Sequence, residues 1–425
     1  MEAIFNFVIQ IIREPAIFLG IIALLGLLLL KKDFSTIVSG TAKTIIGVVI
    51  LTQGTNILTS SIEPLTTGFN LMYEIDESKI EPAIGSDTII NDYGTEIGIA
   101  MLAAFVINLL VARFTPIKHV FLTGHMLFWF PFIFVSVGVE NDLTNLELII
   151  FASLFTAAYI IIAPALLKPF VKKVTGSDDF IIGHPTTILS LIAGLVGKLF
   201  KRKGRSSEDI NFPNSTEFLR EISITSSITM FFVYIVVNLI IGFEHASQAF
   251  GTDQNIIIYS LMQGILFGAG LTILLLGVRM MLAEIIPAFQ GISQKLIPNT
   301  IPALDAPILF PYGANAVLIG FIVSMFTSVI TIFITGATGV FSFVIVPLTI
   351  TCFFEIGTAA IIANGTGGLR GAVAGSAVAG VVMILLVGIS VPVLNGTSAD
   401  WIVIFGGNDF SLWSFISDKV ASVFN

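Results

Sequence analysis

Long runs of apolar residues, separated by short polar stretches, organise almost the whole chain. Ten such runs lie near residues 16–30, 40–60, 95–113, 119–138, 147–171, 221–243, 255–283, 308–335, 340–362 and 371–393. Most are long enough to cross a bilayer core of about 30 Å, which takes ~20 helical residues. No segment shows the ten-residue alternation of a membrane barrel. The pattern predicts an all-α polytopic membrane protein, and an amphipathic tail over 396–425 leaves room for an eleventh span.

Composition supports a membrane protein and excludes several other classes. Of the 425 residues, 55% are hydrophobic and only 11% are charged, whereas a soluble chain carries about a quarter charged residues. The run 16–30 ends in Lys31-Lys32 without a small-residue cleavage pattern, so we expect a retained span. A single cysteine, Cys352, excludes an internal disulfide and a cysteine metal cluster. The sequence has no phosphate-loop motif and therefore predicts no ATP hydrolysis of its own.

The distribution of lysine and arginine predicts the orientation of the spans, because cytoplasmic loops concentrate basic residues. If the first span ends inside, the basic residues fall on inner loops or inner helix ends apart from Arg13, Lys43, Lys79 and Lys419. The largest hydrophilic segment, 172–220, is then a cytoplasmic loop. Two interpretations of this loop stay open: a solvated positive-inside loop, or a docking surface for a soluble partner.

The two halves of the chain carry a similar phrase. Residues 83–94 read AIGSDTIINDYG and residues 303–313 read ALDAPILFPYG, each leading into a long apolar run. The charge pattern places the first copy outside and the second inside, which is typical of inverted repeats. We therefore expect one membrane domain over 1–425, built from repeats at about 14–205 and 206–395.

Asp305 is a lone carboxylate among apolar residues in the run IPALDAPILFPYGANAV. Pro302, Pro307 and Pro311 prevent a regular helix there, and non-helical backbone at membrane depth must be buried in protein or line a wet cavity. A buried carboxylate in such a place indicates function, so we favour a substrate site over a simple helix cap.

Other polar residues interrupt apolar segments. His125 and Trp129 lie one helical turn apart and predict a face that holds a polyhydroxy ring, by hydrogen bonding and stacking. His184 lies in DFIIGHPTTIL, where a plain loop and a short re-entrant element are both compatible with the sequence. Glu355 is a second candidate for a buried carboxylate, and a structural role and a functional role stay open for it, as they do for Glu284.

The segments LTGH, GVRMMLAEIIPAFQGISQKLIP, ALDAPILFPYGANAVLIGF and ANGTGGLRGA resemble a known family. The chain is similar, over essentially its whole length, to the membrane-embedded C component (EIIC) of the bacterial phosphotransferase system, in its ascorbate branch. The resemblance implies about eleven spans with re-entrant hairpins. It further implies a core domain that holds the substrate, and a V-motif domain that forms a homodimer in the cytoplasmic membrane.

The resemblance also implies a set of site residues. It assigns substrate contacts to Asp305, to His125 in LTGH, to Phe128 and Trp129, and to Pro185-Thr186 after GH. A pair in the outer tip falls on Thr88 and Ile89. Trp129 and Pro185-Thr186 stand where ascorbate carriers have glutamines, so ascorbate is the leading substrate and another pentose- or hexitol-like sugar is close behind.

The resemblance implies group translocation by a permease component with no phosphorylated residue of its own. A separate phosphorylated B component (IIB) would phosphorylate the sugar, supplied through an A component (IIA), HPr and enzyme I. We expect no cofactor, no metal and no nucleic-acid partner, only sugar, lipid and these proteins. Two other hypotheses are an ion-coupled secondary transporter that uses Asp305 or Glu355 as a proton carrier, and a non-transporting receptor.

Overall fold

The computed structural model describes residues 14–73, 84–200, 205–211, 215, 218, 221–297, 300–341, 343 and 345–423. The longer helices are α1 Pro15–Leu29, α2 Phe34–Met72, α3 Ser86–Phe114, α4 Gly124–Glu140, α5 Asn145–Thr175, α6 Thr187–Leu199, α7 Ile222–Ile241, α9 Ile256–Leu296, α10 Ala314–Thr338 and α11 Thr349–Ser390. Three further helices accompany them: α8 Phe243–Ala249, α12 Ala399–Phe405 and α13 Asp409–Ala421. Three short strands are β1 His119–Phe121, β2 Ile181–Ile182 and β3 Ile301–Leu304.

Within the described residues, seven helical segments are long and apolar enough to cross a membrane. The prediction of an all-α polytopic membrane protein is therefore confirmed, while the re-entrant hairpins stay a prediction. The predicted run 16–30 forms only the 15-residue α1, and the run 119–138 forms the 17-residue α4 because β1 takes its first residues. The tail forms α12 and α13, and the 13 residues of α13 extend only about 20 Å, short of a bilayer core.

Helix α11 is folded back on itself at Gly368, where φ is +66° and ψ is −160°. A Cβ atom built on Gly375 would lie 2.9 Å from the Cβ of Ala363, although a continuous helix would separate these residues by ~18 Å. Cys352 Sγ likewise lies 3.9 Å from Met383 Sδ. Residues 349–367 and 369–390 are therefore two antiparallel arms, which correspond to the separate runs 340–362 and 371–393 of the sequence.

The three strands form one small parallel sheet in the order β1-β3-β2. Its ladder is continued by the Leu122 N–H, which donates to Ala303 at 2.9 Å, and the Gly183 N–H, which donates to Leu304 at 2.7 Å. A side chain at Gly183 would lie 2.9 Å from the Phe121 ring, so this close crossing requires glycine. The sheet is largely buried, as non-helical backbone in an apolar setting must be.

The segment before Gly313 begins as β3 and continues as a 3₁₀ turn over Ala306–Tyr312. The three prolines thus exclude an α-helix from this stretch, as the sequence predicts. The described part of the corresponding phrase in the first half, 84–94, is instead mostly helical and opens α3 at Ser86. The two similar phrases therefore have different local structures.

Candidate functional site

A titratable side chain lies within four residues of the carboxyl end of each strand of the small sheet. His125 comes four residues after β1, His184 two residues after β2 and Asp305 one residue after β3. Because the strands are parallel, their carboxyl ends meet at one edge of the sheet, and the residues that follow them converge. The sheet thereby brings together three residues that lie up to 180 positions apart in the sequence.

Asp305 and His184 form the closest pair of this cluster. His184 Nδ1 lies 2.6 Å from Asp305 Oδ1, and the same oxygen accepts a hydrogen bond from the Ala306 N–H at 2.9 Å. The other oxygen, Oδ2, lies 3.8 Å from His125 Nε2. Asp305 is only 6% exposed. Its hydrogen bond from Ala306 caps the 3₁₀ turn, and its contact with Nδ1 holds the buried His184.

The charge of this pair follows from its surroundings. Burial alone would lower the pKa of His184, but the carboxylates of Asp305 and Glu355 raise it to about 10. Burial alone would raise the pKa of Asp305, but the charges and hydrogen bonds of His125 and His184 hold it below its ordinary value. Both shifts favour a protonated His184 against an ionised Asp305.

Glu355 approaches the opposite side of His184 from the first arm of α11. Its Oε1 lies 3.7 Å from His184 Nε2 and accepts a hydrogen bond from Asn408 Nδ2 at 2.8 Å. Its Oε2 is buried and has no hydrogen-bond partner in the structure. His184 is thus placed between two carboxyl groups, of which only Asp305 bonds it closely.

These side chains line one cavity with a volume of about 70 Å³. Its polar residues are His125, His184, Asp305 and Glu355, and its apolar wall is formed by Leu51, Met126, Trp129, Leu274, Ile350, Phe354, Trp401, Phe405 and Phe410. The Trp129 and Trp401 rings lie 4.9 Å apart, and Trp401 stacks on Phe405 at 4.9 Å. The cavity is therefore a mainly aromatic chamber with its polar groups grouped around His184.

Several buried polar atoms of the cavity residues have no hydrogen-bond partner in the structure: His125 Nδ1, His184 Nε2, Glu355 Oε2 and Trp401 Nε1. Leaving a buried polar atom unpaired costs about 1–3 kcal/mol, so folded proteins rarely do so without a functional reason. The set contains both donors and acceptors. Such a set suits hydroxyl groups, which donate and accept at once.

A metal ion is a further chemical possibility for the cluster. One ligand atom from each of His125, His184 and Asp305 lies within 4.8 Å of the others. The direct His184–Asp305 hydrogen bond, at 2.6 Å, already satisfies two of these groups. The geometry is therefore explained by a charge-assisted hydrogen bond without an ion between them.

Comparison with known proteins places the chain in a family. The sequence profile of the family described as "PTS system sugar-specific permease component" matches residues 10–409. The chain belongs to this family. A curated relative, "Ascorbate-specific PTS system EIIC component" of Mycoplasma pneumoniae, is 25% identical over an alignment of 413 residues, and the match covers 85% of this chain. The match spans 62% of that relative's own length.

Membership of the permease family, together with the seven candidate spans, confirms the predicted multi-pass protein of a bacterial cytoplasmic membrane. It also confirms the resemblance that the sequence motifs indicate.

Among the site residues expected from the sequence, the structure brings three to the cavity: His125, Trp129 and Asp305. Phe128 is adjacent but packs edge-on against Trp129 at 5.2 Å without lining the cavity. Thr88 is half-buried and Ile89 is fully buried in the apolar core near the start of α3, and neither lines the cavity.

Pro185 and Thr186 are buried beside His184 but serve the loop rather than the cavity. Thr186 Oγ1 donates to the Glu355 carbonyl at 2.7 Å, and the Pro185 carbonyl accepts from the Asp409 N–H at 3.2 Å. The residue of this loop that reaches the cavity is His184. His184 and Glu355 are conspicuous in the sequence as polar residues in apolar segments, but nothing in the sequence places either of them in the site.

The remaining wall comes from the tail of the chain, where the sequence predicts no site residue. Trp401 and Phe405 lie on α12, and Phe410 lies on α13. Their only sequence signal is three aromatic residues within a stretch of ten.

Asp409, beside Phe410, anchors the His184 loop. Its carboxylate accepts hydrogen bonds from the N–H groups of Thr187 and Ile188 and from the Tyr159 hydroxyl, each at 2.8 Å. The carboxylate thus caps the amino end of α6, where backbone donors are otherwise unpaired. The Tyr159 hydroxyl also lies 3.1 Å from the His184 carbonyl. Helices α12 and α13 of the tail therefore form part of the cavity wall and also hold the loop that carries His184 in place.

Proposed function

We propose that this protein is the membrane component that translocates ascorbate or a related sugar across the cytoplasmic membrane, coupled to its phosphorylation by a separate B component. The family described as sugar-specific permease components supports the general activity, and the name of the Mycoplasma relative supports the sugar.

The observation that carries the proposal is the cavity at the carboxyl ends of the three strands. It combines buried polar atoms that lack partners with a wall of aromatic rings. Hydroxyl groups pair with the former, and the apolar faces of a sugar ring stack on the latter. Asp305 and His184 would hold hydroxyls, while His125, Trp129 and Trp401 would orient the ring.

The proposal assigns the phosphoryl chemistry to partners. The B component would receive phosphate through the A component, HPr and enzyme I, and would phosphorylate the sugar at the inner face. We propose that the basic, exposed parts of the predicted loop 172–220 form its docking surface, since β2, the buried His184 segment and α6 occupy the middle of this range. Lys201, Arg202 and Lys203 of this loop lie outside the described residues. We further propose two inverted repeats, a core domain that moves against a V-motif domain, and a homodimer.

A second candidate function rests on one feature of the same site. Asp305, His184 and Glu355 form a chain of titratable groups with contacts of 2.6 and 3.7 Å. Such a chain is the kind used for proton relays inside membrane proteins. An ion-coupled secondary transporter would deliver unmodified sugar.

The test is uptake of labelled sugars by vesicles that contain the purified protein, with and without phosphoenolpyruvate and the soluble components. We expect the sugar to appear inside only as its phosphate, and only when all components are present. Accumulation of free sugar driven by a proton gradient would instead establish the second candidate.

A further inference from the structure

We infer that Glu355 is a specificity residue of the cavity, which makes it selective for an uncharged polyhydroxy substrate over an anionic one. This inference rests on the proposed function, because it presupposes that the sugar occupies this cavity.

Glu355 is a buried cavity residue with only one of its two carboxyl oxygens hydrogen-bonded. Its side chain is 4% exposed and lines the cavity, yet only Oε1 has a donor within hydrogen-bond distance, from Asn408. Oε2 is buried without a partner. A structural carboxylate is normally satisfied at both oxygens, so the unpaired oxygen indicates a ligand that donates a hydrogen bond.

The cavity has more carboxyl groups than cationic groups among its described lining residues. Two carboxyl groups, Asp305 and Glu355, lie on either side of one imidazole, His184. The described residues that line the cavity include no lysine and no arginine. Among these described lining residues the only cationic group is His184, which Asp305 already pairs at 2.6 Å. A carboxylate or enolate brought into this apolar space would therefore meet Glu355 without a further cation to compensate it, and repulsion is strong where water is excluded.

The unpaired polar atoms of the cavity are complementary to the hydroxyl groups of a neutral polyol. Glu355 Oε2 can accept a hydrogen bond from a ligand hydroxyl, Trp401 Nε1 can donate one, and the unpaired imidazole nitrogens of His125 and His184 complete the set. Adjacent hydroxyls of an alditol or a sugar match this mixture, because each can donate to Glu355 while it accepts from Trp401 or His184. Ascorbate, which is an anion at neutral pH, has fewer hydroxyl donors than either kind of polyol and carries a negative charge that they lack.

The experiment is equilibrium binding to the purified full-length protein in detergent, with no phosphoenolpyruvate or soluble components present. The probes are L-ascorbate and two uncharged alditols, xylitol and galactitol. We expect wild type to bind at least one alditol about tenfold or more tightly than ascorbate. Glu355→Gln, which keeps the shape and removes the charge, should reduce that ratio by about tenfold.

A matched control is Glu244→Gln, which removes a carboxylate from the exposed helix α8 and should leave the ratio unchanged. Glu355→Asp keeps the charge and should keep the preference for alditols even if all affinities fall. Tighter binding of ascorbate by wild type would overturn the inference without any variant, as would an unchanged ratio in folded Glu355→Gln.

These outcomes are separable from failure of the proposed function. Binding preference is measured without phosphoryl transfer, so it can hold even if vesicles accumulate free sugar. Conversely, the complete system could phosphorylate ascorbate while the protein binds ascorbate more tightly than either alditol. That result would support the proposed function and contradict the inference about Glu355.

Discussion

Two buried carboxylates on either side of the same loop have opposite surroundings. Asp409 is 1% exposed and accepts three hydrogen bonds of 2.8 Å, from Tyr159, Thr187 and Ile188. Glu355 is 4% exposed and accepts one, from Asn408, with its second oxygen unpaired. Burial alone therefore does not distinguish an anchor from a binding group; the number of satisfied oxygens does.

Asp305 lies between these two cases. It accepts from Ala306 and His184, while its second oxygen lies 3.8 Å from His125, beyond a hydrogen bond. One oxygen is thus fixed by the protein and the other is available to a ligand. The comparison predicts that Asp409 variants lose stability, and that Asp305 and Glu355 variants mainly lose or change binding.

The largest expected effect is on the anchor. Asp409→Ala leaves two backbone N–H groups and the Tyr159 hydroxyl without their acceptor, so we expect the free energy of unfolding to fall by at least about 3 kcal/mol. Thermal melting of the detergent-solubilised protein measures this. Tyr159→Phe removes one of the three donors and should cost about 1 kcal/mol, while Asp253→Ala, an exposed carboxylate, should have no effect.

The anchor prediction has a definite contrary outcome. If Asp409→Ala melts with wild type yet loses sugar binding, Asp409 acts on the ligand and the comparison between the two carboxylates breaks down.

The second effect is on binding. Asp305→Asn keeps the shape but replaces one acceptor by a donor and removes the negative charge that faces His184, so sugar binding should weaken by at least about 1 kcal/mol. Titration calorimetry on a correctly folded variant measures the affinity. Asp179→Asn, an exposed carboxylate between α5 and β2, is the matched control. Unchanged affinity in Asp305→Asn would remove this carboxylate from the site.

The sequence predicts the spans and part of the site for a clear physical reason. Apolar runs are local signals, and Asp305 and His125 are conspicuous because charge and imidazole are costly among apolar neighbours. The strands are too short, at two to four residues, to show a period, and Pro302 within β3 argues against a strand. Without the sheet, nothing indicates that His184 lies beside Asp305.

The tail escapes prediction for a different reason. Trp401, Phe405 and Phe410 lie on helices of 7 and 13 residues, too short for a periodic pattern to distinguish a cavity wall from a surface helix. Asp409 appears as one more acidic residue in a polar tail until the structure places it under the amino end of α6. Long-range contacts of this kind have no local sequence signal.

The smallest expected effect is a change in sugar selectivity caused by a substitution in the aromatic wall of the cavity. It tests whether selectivity can change while Glu355, Asp305 and Asp409 are all kept. Trp129 faces the cavity one helical turn after His125 and lies 4.9 Å from Trp401. Trp129→Gln exchanges a stacking surface for an amide that both donates and accepts. We expect the ratio of ascorbate to alditol affinity to rise by about threefold, because each new hydrogen bond to the lactone contributes about 0.5–1.5 kcal/mol.

Trp129→Phe is the matched control, since it keeps an aromatic ring and adds no amide; its ratio should stay at the wild-type value. Ligand-induced melting shifts with both sugars measure the ratio, and the unliganded melting temperature separately reports the lost contact with Trp401. If Trp129→Gln lowers the melting temperature but preserves the ranking and size of the ligand shifts, the ring only packs the wall. Selectivity would then be left to the polar groups, and the contrast between Glu355 and Asp409 would have to explain it alone.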